Sequence, residues 1–517
     1  MRKLSLFIVA LTIFSMLLAA CGGGAATTPT APALAPTEAA PTSAPAITQA
    51  PTTQAPATTV APTTAVTQAM TATQAMTATQ PVATTPVMTA TQPVSGTTNL
   101  RTPEEAALAA AGGQQIGGSV SVLATWGGDE QASFMAMVKP FEDATGVKID
   151  YTGTRDLNAV LTTRVQGGNP PDLAGLPGPG QMAQFAQQGK LIDLSTVLDM
   201  STYNNQYTKT WTDLGTANGI LAGIFIKASV KGLIWYDPKV WQQNNYQIPA
   251  TWDDMMNLSK QIADAGNTPW CVALESGAAS GWPGTDWLED IVLRQSGADT
   301  YQQWYQGKIK WTSPEIKQAW QTWGQIVADP KMVFGGANKM LTTNFGNVGD
   351  PLFTNPPGCY LVHQASFITS FFQQNTPNIQ PVQDFDFFGF PPFDTSKPQS
   401  TEMAGDLFGM FNDTPQARAL IKYLVTPEAQ AIWVQRGGAI SPNKDVPLSM
   451  YPDPLSKKAA QILTGSQVAV FDASDQMPEA MNNAFWQAIL NYVQDPTSLD
   501  SVLQNLDSVQ ADAYKNP

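Results

Sequence analysis

The sequence predicts an α/β protein whose folded region is divided into two lobes. Strand and helix patterns alternate from Ser119 onward, and this alternation indicates a parallel sheet covered by helices. The region of globular composition runs from Gly118 to Pro517, whereas single hydrophobic cores rarely extend beyond about 250–300 residues. We therefore expect two lobes in this region, preceded by a segment of different composition.

The alternation is clearest at the start of the folded region. The predicted order is a strand at 119–125, a helix ended by Gly146, a strand at 147–151, a helix ended by Gly167 and Gly168, and a strand at 173–176. Ligands of parallel sheets bind outside the carboxyl ends of the strands. These ends carry residues 126–130, Arg155 with Asp156, and 177–180, so we expect the binding site there.

The first residues indicate export. Arg2 and Lys3 precede an apolar run that ends at Leu18, which is short for a membrane span and suits a signal peptide. Cys21 follows two alanines and resembles the cysteine of a bacterial lipobox. We expect residues 1–20 to be removed and Cys21 to carry a lipid that anchors the chain to the membrane. The alternative is an ordinary cleaved signal with an incidental cysteine.

Residues 21–99 form a segment rich in Thr, Pro, Ala and Gln, with Glu38 as the only charge. Such a segment buries too little apolar surface to offset the entropy lost on ordering. We expect a disordered, proline-stiffened linker that holds the folded region away from the membrane.

Composition excludes several classes of partner. The formal net charge is −14, which disfavours binding to nucleic acid. The chain has a single histidine, and we find no phosphate-binding loop, dinucleotide-binding pattern or His/Cys metal spacing. We therefore expect no cofactor and no metal.

The chain has three cysteines, and an acylated Cys21 leaves Cys271 and Cys359. An oxidising compartment favours a disulfide between these two. Two buried free thiols are the alternative.

Several segments of the folded region share one resemblance. They are 232–237 (GLIWYD), 248–254 (IPATWDD), 426–430 (TPEAQ) and 441–444 (SPNK). Together they resemble the bacterial extracellular solute-binding proteins, family 1, of ABC importers. Three central segments, 269–271 (PWC), 281–287 (GWPGTDW) and 359–367, look like the alpha-glucoside-binding branch of that family.

The resemblance implies a periplasmic-binding-protein-like fold, in which two α/β lobes are joined by hinge crossovers. It places the crossovers near 228–232, 397–402 and 438–442. Lobe one is then 118–229 with 400–438, and lobe two is 232–397 with 440–517. The implied function is a receptor, not an enzyme, that captures an alpha-glucoside or small oligosaccharide outside the cell membrane and delivers it to an ABC permease.

A sugar site needs aromatic surfaces for C–H faces and convergent polar groups for hydroxyls. Polar, Gly/Pro-containing segments supply Trp126, Trp282 and Trp287, while strand ends and cleft loops supply Glu130, Arg155, Asp286 and Asp406. The family position adds His363 and Gln364 at the end of a lobe-two strand, and Lys227 interrupts an apolar strand.

Each candidate has an alternative reading. The tryptophans could pack on their own lobe, the carboxylates could be solvated, and a lone histidine is commonly a satisfied core residue. Trp320, Trp323 and Trp433 lie on helical stripes, which favours a place in the core.

Two other functions remain open. A receptor for polyamines or other cationic solutes is compatible with the acidic composition. A glycoside hydrolase would use paired carboxylates, for example Asp286 with Asp406, although no local signature of a hydrolase is present.

Overall fold

The computed structural model describes residues 100–466 and 468–515. The predicted signal peptide, the predicted lipidation site Cys21 and the predicted linker at 21–99 lie outside the described residues.

Strands occur throughout the described chain. Their bounds are β1 (Ser119–Ala124), β2 (Lys148–Gly153), β3 (Leu173–Leu176), β4 (Thr216–Ala217), β5 (Ile220–Leu221), β6 (Ile224–Val230), β7 (Leu233–Tyr236), β8 (Trp270–Cys271), β9 (Leu361–His363), β10 (Asp386–Gly389), β11 (Ser400–Met410) and β12 (Val468–Phe471).

Helices occupy much of the rest. Their bounds are α1 (Pro103–Ala110), α2 (Gly128–Thr145), α3 (Leu157–Gln166), α4 (Pro179–Gln187), α5 (Met200–Gln206), α6 (Lys209–Leu214), α7 (Pro238–Asn244), α8 (Trp252–Asp264), α9 (Trp282–Ser296), α10 (Ala298–Tyr305), α11 (Pro314–Val327), α12 (Gly336–Thr342), α13 (Ile368–Asn375), α14 (Pro415–Leu424), α15 (Pro427–Arg436), α16 (Pro454–Gly465), α17 (Ala473–Gln476), α18 (Glu479–Gln494) and α19 (Leu499–Ala513). Among the described residues, we find no helix with the length and apolar character that a membrane span requires.

Two sheets form the centres of the two lobes. The sheet of lobe one has the order β12-β11-β3-β1-β2, with β6 paired to β11, and the sheet of lobe two has the order β10-β7-β9-β8. Strands β1, β2 and β3 are parallel, as the alternating pattern predicts. The long strand β11 runs antiparallel to both β3 and β6, so the sheet of lobe one is mixed.

The opening elements follow directly from local sequence. Helix α2 buries Phe134, Val138 and Phe141 on one face, as expected from their helical spacing. It ends at Gly146, which adopts a left-handed conformation with φ of 71°. This helix therefore packs across the strands whose carboxyl ends carry the predicted site.

Two hydrophobic clusters stabilise the lobes. The first contains the inner faces of β1, β6 and β11 and extends toward lobe two. The second joins α9, α11 and α18 and includes Trp320 and Trp323, which are fully buried as their helical stripe predicts. Trp433 is likewise buried, in the first cluster.

The chain crosses between the lobes three times. It passes from β6 to β7 at Lys231 and Gly232, and from β10 to β11 between Gly389 and Ser400. The third crossing follows β12, at Asp472.

The third crossing differs from the predicted one near 438–442. Strand β12 pairs with β11 in the sheet of lobe one, and α16 packs on β6 and β11. This strand pairing and helix packing assign α16 and β12 to lobe one, while Lys458 of α16 also donates to the carbonyl of Phe387 in lobe two at 2.6 Å. Lobe one also begins earlier than Gly118, since Ala106 and Ala107 of α1 are buried against α2 and α14.

Candidate functional site

A cavity lies between the two sheets, beside the crossings. The space free for water-sized molecules is about 120 Å³. One wall comes from lobe one, at the carboxyl end of β1, the loop after β2 and the middle of β6 and β11. The other wall comes from α9, the segments before α13 and the chain after β12. This position agrees with the strand-end rule used above.

The lobe-one wall contains a network of four charged side chains, of which Arg155 is partly exposed. Nζ of Lys227 donates to Oε1 of Glu130 at 2.8 Å and lies 3.4 Å from Oδ2 of Asp406. A guanidinium nitrogen of Arg155 donates to Oε2 of Glu130 at 3.0 Å. Glu130 stands in the first turn of α2, so the positive end of the helix also favours its negative charge.

These contacts determine which groups are charged. Burial acts to raise the pKa of Glu130, but Lys227 and Arg155 outweigh it and hold that pKa below its usual range. Burial acts to lower the pKa of Lys227, and Glu130 and Asp406 together raise it instead. Burial raises the pKa of Asp406 despite Lys227. Lys227 and Glu130 are thus a charged pair with little need of an external partner.

The lobe-two wall combines aromatic rings with a carboxylate. Trp282 and Asp286 both lie on α9, four residues apart and therefore on one face. The Trp282 ring contacts Phe345 at a centroid distance of 5.1 Å and Phe367 at 6.0 Å. Trp486 of α18 also lines the cavity.

The approach of Trp486 to the start of α9 requires a glycine. Gly281 has φ of 111°, and a Cβ atom there would lie 2.4 Å from the carbonyl oxygen of Trp486. Only a residue without a side chain fits both the backbone conformation and this contact. Gly281 therefore sets the position of Trp282 in the cavity wall.

Lys231 connects the cavity to two of the crossings. Its Nζ lies 2.8 Å from Oδ2 of Asp286, 2.9 Å from Oδ2 of Asp472 and 5.1 Å from the centre of the Trp282 ring. Burial opposes its charge, but the two carboxylates raise the pKa of Lys231 well above its usual range. Burial also raises the pKa of Asp286 to about 7.

Six of the nine predicted ligand-binding residues line the cavity. They are Trp126, Glu130, Arg155, Trp282, Asp286 and Asp406. Trp126 is only 1% exposed, because most of its ring packs among Phe134, Phe408 and Trp433. It is both a core residue of lobe one and a minor part of the cavity wall.

The structure places Trp287 outside the lining of this cavity. The polar, Gly/Pro-containing segment 281–287 shows no helical period, yet α9 begins at Trp282 and continues through it. Each residue turns an α-helix by about 100°, so a side chain five positions further on points about 140° away. Trp287 therefore faces the side of α9 opposite to Trp282. It is 1% exposed and packs on Trp270 and His363 in the core of lobe two.

His363 and Gln364, also predicted as ligand-binding residues, do not line the cavity either. Nε2 of His363 lies 2.8 Å from Oδ2 of Asp290, and burial lowers the pKa of this histidine. Gln364 is 2% exposed, and its side-chain oxygen accepts a hydrogen bond from the Ala365 N–H. Both are buried core residues, although Nδ1 of His363 has no hydrogen-bond partner among the described residues.

Sequence reasoning missed several lining residues. These are Lys231, Phe345, Phe367, Asp472 and Trp486. Lys231 carried a usable signal, since a lysine directly after an apolar strand and before a crossing glycine is unusual for a core segment. The others lie far apart in sequence and carry no shared local pattern.

The structure pairs Cys271 with Cys359 in a disulfide, with their Cα atoms 5.6 Å apart. The disulfide fastens β8 to the segment that enters β9, beside the backbone hydrogen bond from Leu361 to Pro269. It thus lies within the sheet of lobe two.

The chain is similar to known proteins along most of its folded length. The pattern of the family described as bacterial extracellular solute-binding protein matches residues 126–431. The osmoprotective compounds-binding protein GgtB of Synechocystis is 40% identical over 375 residues, which cover 72% of this chain and 88% of GgtB. The alpha-glucosides-binding periplasmic protein AglE of Rhizobium meliloti is 36% identical over 394 residues, covering 74% and 85% of the two chains.

Solved structures share the fold. A chitin oligosaccharide binding protein superposes with a TM-score of 0.67 at 17% identity, covering 77% of this chain and 99% of that protein. The raffinose complex of RafE gives a TM-score of 0.62 at 18% identity, with the same coverage. The family match and these relatives show a solute-binding receptor, not an enzyme: the chain belongs to the bacterial extracellular solute-binding protein family.

Proposed function

We propose that this receptor captures a neutral polyhydroxylated solute, an alpha-glucoside or a small oligosaccharide, and delivers it to the permease of an ABC importer. The observation that carries the proposal is the combination of an aromatic wall with charged groups that are already paired with one another within the protein. The wall is formed by Trp282, Phe345 and Phe367 and faces the Lys227 network.

The aromatic wall suits the apolar faces of a sugar ring. Trp282 is half-buried, so part of its ring is open to the cavity. A sugar ring packed there removes apolar surface of both partners from water. The hydroxyl groups at the edge of the same ring need donors and acceptors, which Asp406, Arg155 and Asp286 supply.

The charge pattern favours a neutral ligand over a cation. Lys227 and Lys231 both reach the cavity, and each is surrounded by carboxylates of the protein. A polyamine would have to approach these ammonium groups and compete with them for the same carboxylates. A neutral ligand can accept hydrogen bonds from the lysines and donate to the carboxylates without separating any pair.

The names of the two relatives support a small ligand of this class. AglE is named for alpha-glucosides and GgtB for osmoprotective compounds. Their identities of 36% and 40% make a shared ligand chemistry a reasonable basis for the proposal.

The lobes touch across the cavity. Oε2 of Glu479 in α18 accepts hydrogen bonds from Thr162 of α3 at 3.0 Å and from Gln181 of α4 at 3.1 Å. These contacts join lobe two to lobe one. They support a mechanism in which the lobes close on the ligand and exclude water from it.

Calorimetric titration of the full-length chain tests the proposal. The neutral panel contains trehalose, sucrose, maltose, raffinose and glucosylglycerol, and the cationic panel contains putrescine and spermidine. We expect saturable one-to-one binding of at least one neutral glucoside and recovery of the sugar intact after long incubation. Binding that is confined to the polyamines would contradict the proposal and support the cationic alternative.

The location is a second part of the proposal. We propose that residues 1–20 are removed and that a lipid on Cys21 holds the receptor on the outer face of the cell membrane, with 21–99 as linker. Mass spectrometry of the N-terminal peptide should show a diacylglycerol on Cys21. A Cys21→Ala variant should be released from the membrane fraction, and an unchanged membrane fraction would contradict the anchor.

A further inference from the structure

Three buried carboxylates meet where the crossings come together. Glu402 stands at the start of β11, Asp472 follows β12, and Glu289 lies on α9. Their exposed fractions are 0%, 1% and 0%. One carboxylate oxygen from each lies within 4.8 Å of the other two.

Two of the three carboxylates have protein partners. Glu289 accepts from the backbone N–H of Ala473 at 2.8 Å and of Ser474 at 3.3 Å. Asp472 accepts from the Ser474 hydroxyl at 2.9 Å and lies 2.9 Å from Nζ of Lys231. These contacts fix both side chains in place.

Glu402 differs from the other two. Neither of its carboxylate oxygens has a hydrogen-bond partner among the described residues. A fully buried carboxylate without a partner loses its hydration and gains nothing in return.

Around these three carboxylates, acidic side chains outnumber basic ones. Asp286 and Asp290 lie close enough to act on Glu402 together with Glu289 and Asp472. The fixed positive charges beside these groups are Lys231 and Arg294, since burial lowers the pKa of His363. An excess of buried negative charge requires protons or a cation to compensate it.

A proton compensates this excess less completely than a cation does. A proton on Glu402 would occupy one of its two oxygens, and the other oxygen would still have no hydrogen-bond donor among the described residues. A cation bound between the three carboxylates would neutralise charge and also occupy the unpartnered oxygens. This difference favours a cation.

We propose that Glu289, Glu402 and Asp472 form a binding site for a hard divalent cation, with calcium preferred, at the hinge of the receptor. Carboxylate oxygens are ligands of hard cations, and the set contains no sulfur or imidazole. Metal–oxygen distances of about 2.3–2.6 Å let calcium span oxygens as far apart as this set, whereas the shorter bonds of magnesium fit it less well.

The site explains why sequence reasoning expected no metal. Its ligands come from three segments separated by more than 60 residues each, so no ligand spacing is visible in the sequence. A cation there would connect α9 of lobe two with the second and third crossings. We therefore expect it to stabilise the hinge, independently of which solute the cavity binds.

Terbium luminescence on the full-length chain, stripped with a chelator, tests the site directly. The Tyr301 hydroxyl lies 3.4 Å from Oε2 of Glu289, so this ring can sensitise a bound terbium ion. We expect saturable luminescence at one ion per chain, displaced by calcium more effectively than by magnesium. Emission no stronger than that of free terbium, together with no metal in elemental analysis of the untreated protein, would overturn the proposal.

Thermal melts add a second test with a matched control. Calcium in large excess should raise the melting temperature of the stripped protein by about 3 °C. Glu402→Gln should abolish this rise, whereas Glu428→Gln should retain it, because Glu428 is a buried glutamate of α15 bonded to Arg101 instead. If a folded Glu402→Gln variant still shows the calcium-induced rise in melting temperature, the ion binds at another site and the proposal is wrong. If that variant does not fold, terbium binding to the unmodified chain decides.

Discussion

Nζ of Lys227 donates to Oε1 of Glu130 at 2.8 Å, and both side chains are nearly fully buried in the lobe-one wall of the cavity. The two residues come from β6 and from the first turn of α2, which are 97 positions apart. A buried pair of this kind adds little net stability, but removal of one partner leaves an uncompensated charge. The pair therefore fixes the shape of the wall against which a ligand binds.

The first prediction concerns the loss of the lysine. Lys227→Met should lower the free energy of unfolding by about 3 kcal/mol, because Asp406 loses its cationic partner and Glu130 retains only Arg155. The double variant Lys227→Met/Glu130→Gln should lose less unfolding free energy than the sum of the losses of the two single variants. Denaturant unfolding of the three variants measures this, and strict additivity would show that the contact is unimportant for stability.

The second prediction is a pH dependence. Although burial opposes its charge, Lys227 and Arg155 hold the pKa of Glu130 below its ordinary value of 4.5. The ionised form therefore adds stability above that value, and this stability is lost as the pH falls through the folded-state pKa. At about pH 7 the unmodified protein should have a higher melting temperature than the Glu130→Gln variant. This difference in melting temperature should disappear at low pH. A difference that stays constant down to about pH 3 would contradict the assignment.

The third prediction compares two tryptophans of α9. Trp282→Ala removes part of the aromatic wall, so affinity for the bound solute should fall by about 2 kcal/mol, or roughly thirtyfold. Trp287→Ala opens a cavity in the core of lobe two and should instead cost about 3–5 kcal/mol of stability. Its affinity, measured on folded protein, should stay near that of the unmodified chain.

Calorimetric titrations and thermal melts of both variants decide the comparison. The two residues share one helix, so general damage to α9 would affect affinity and stability in both. Normal binding by Trp282→Ala together with weak binding by Trp287→Ala would contradict the assignment. It would show that the solute binds on the side of α9 that carries Trp287.

Local patterns were enough to predict the opening of lobe one. Strand β3 and the end of α2 at Gly146 follow from apolar periodicity and from a glycine in a left-handed conformation, both visible within a few residues. The place of β12 was not predictable in this way. It is a four-residue strand whose partner β11 lies more than 50 residues earlier, and long-range pairing leaves no mark in the local sequence.

The same distinction applies to the cavity. Trp126, Glu130 and Arg155 could be predicted because parallel strands bring their carboxyl ends together, wherever the rest of the chain lies. Trp287 could not be separated from Trp282 without knowing that Gly281 begins a helix. Lys231 and Asp472 meet only because two crossings converge, which depends on the packing of whole lobes.

The last prediction concerns the disulfide between Cys271 and Cys359, which are separated by 88 positions. Closing a loop of that length restricts the unfolded chain, and the chain-entropy estimate gives between about 4 and 5 kcal/mol as an upper value. Differential alkylation and mass spectrometry should show both thiols protected until a reductant is added. The double variant Cys271→Ser/Cys359→Ser should melt lower and bind the same solute, because neither cysteine lines the cavity. Equal labelling with and without reductant would show that the two thiols remain free in the exported protein.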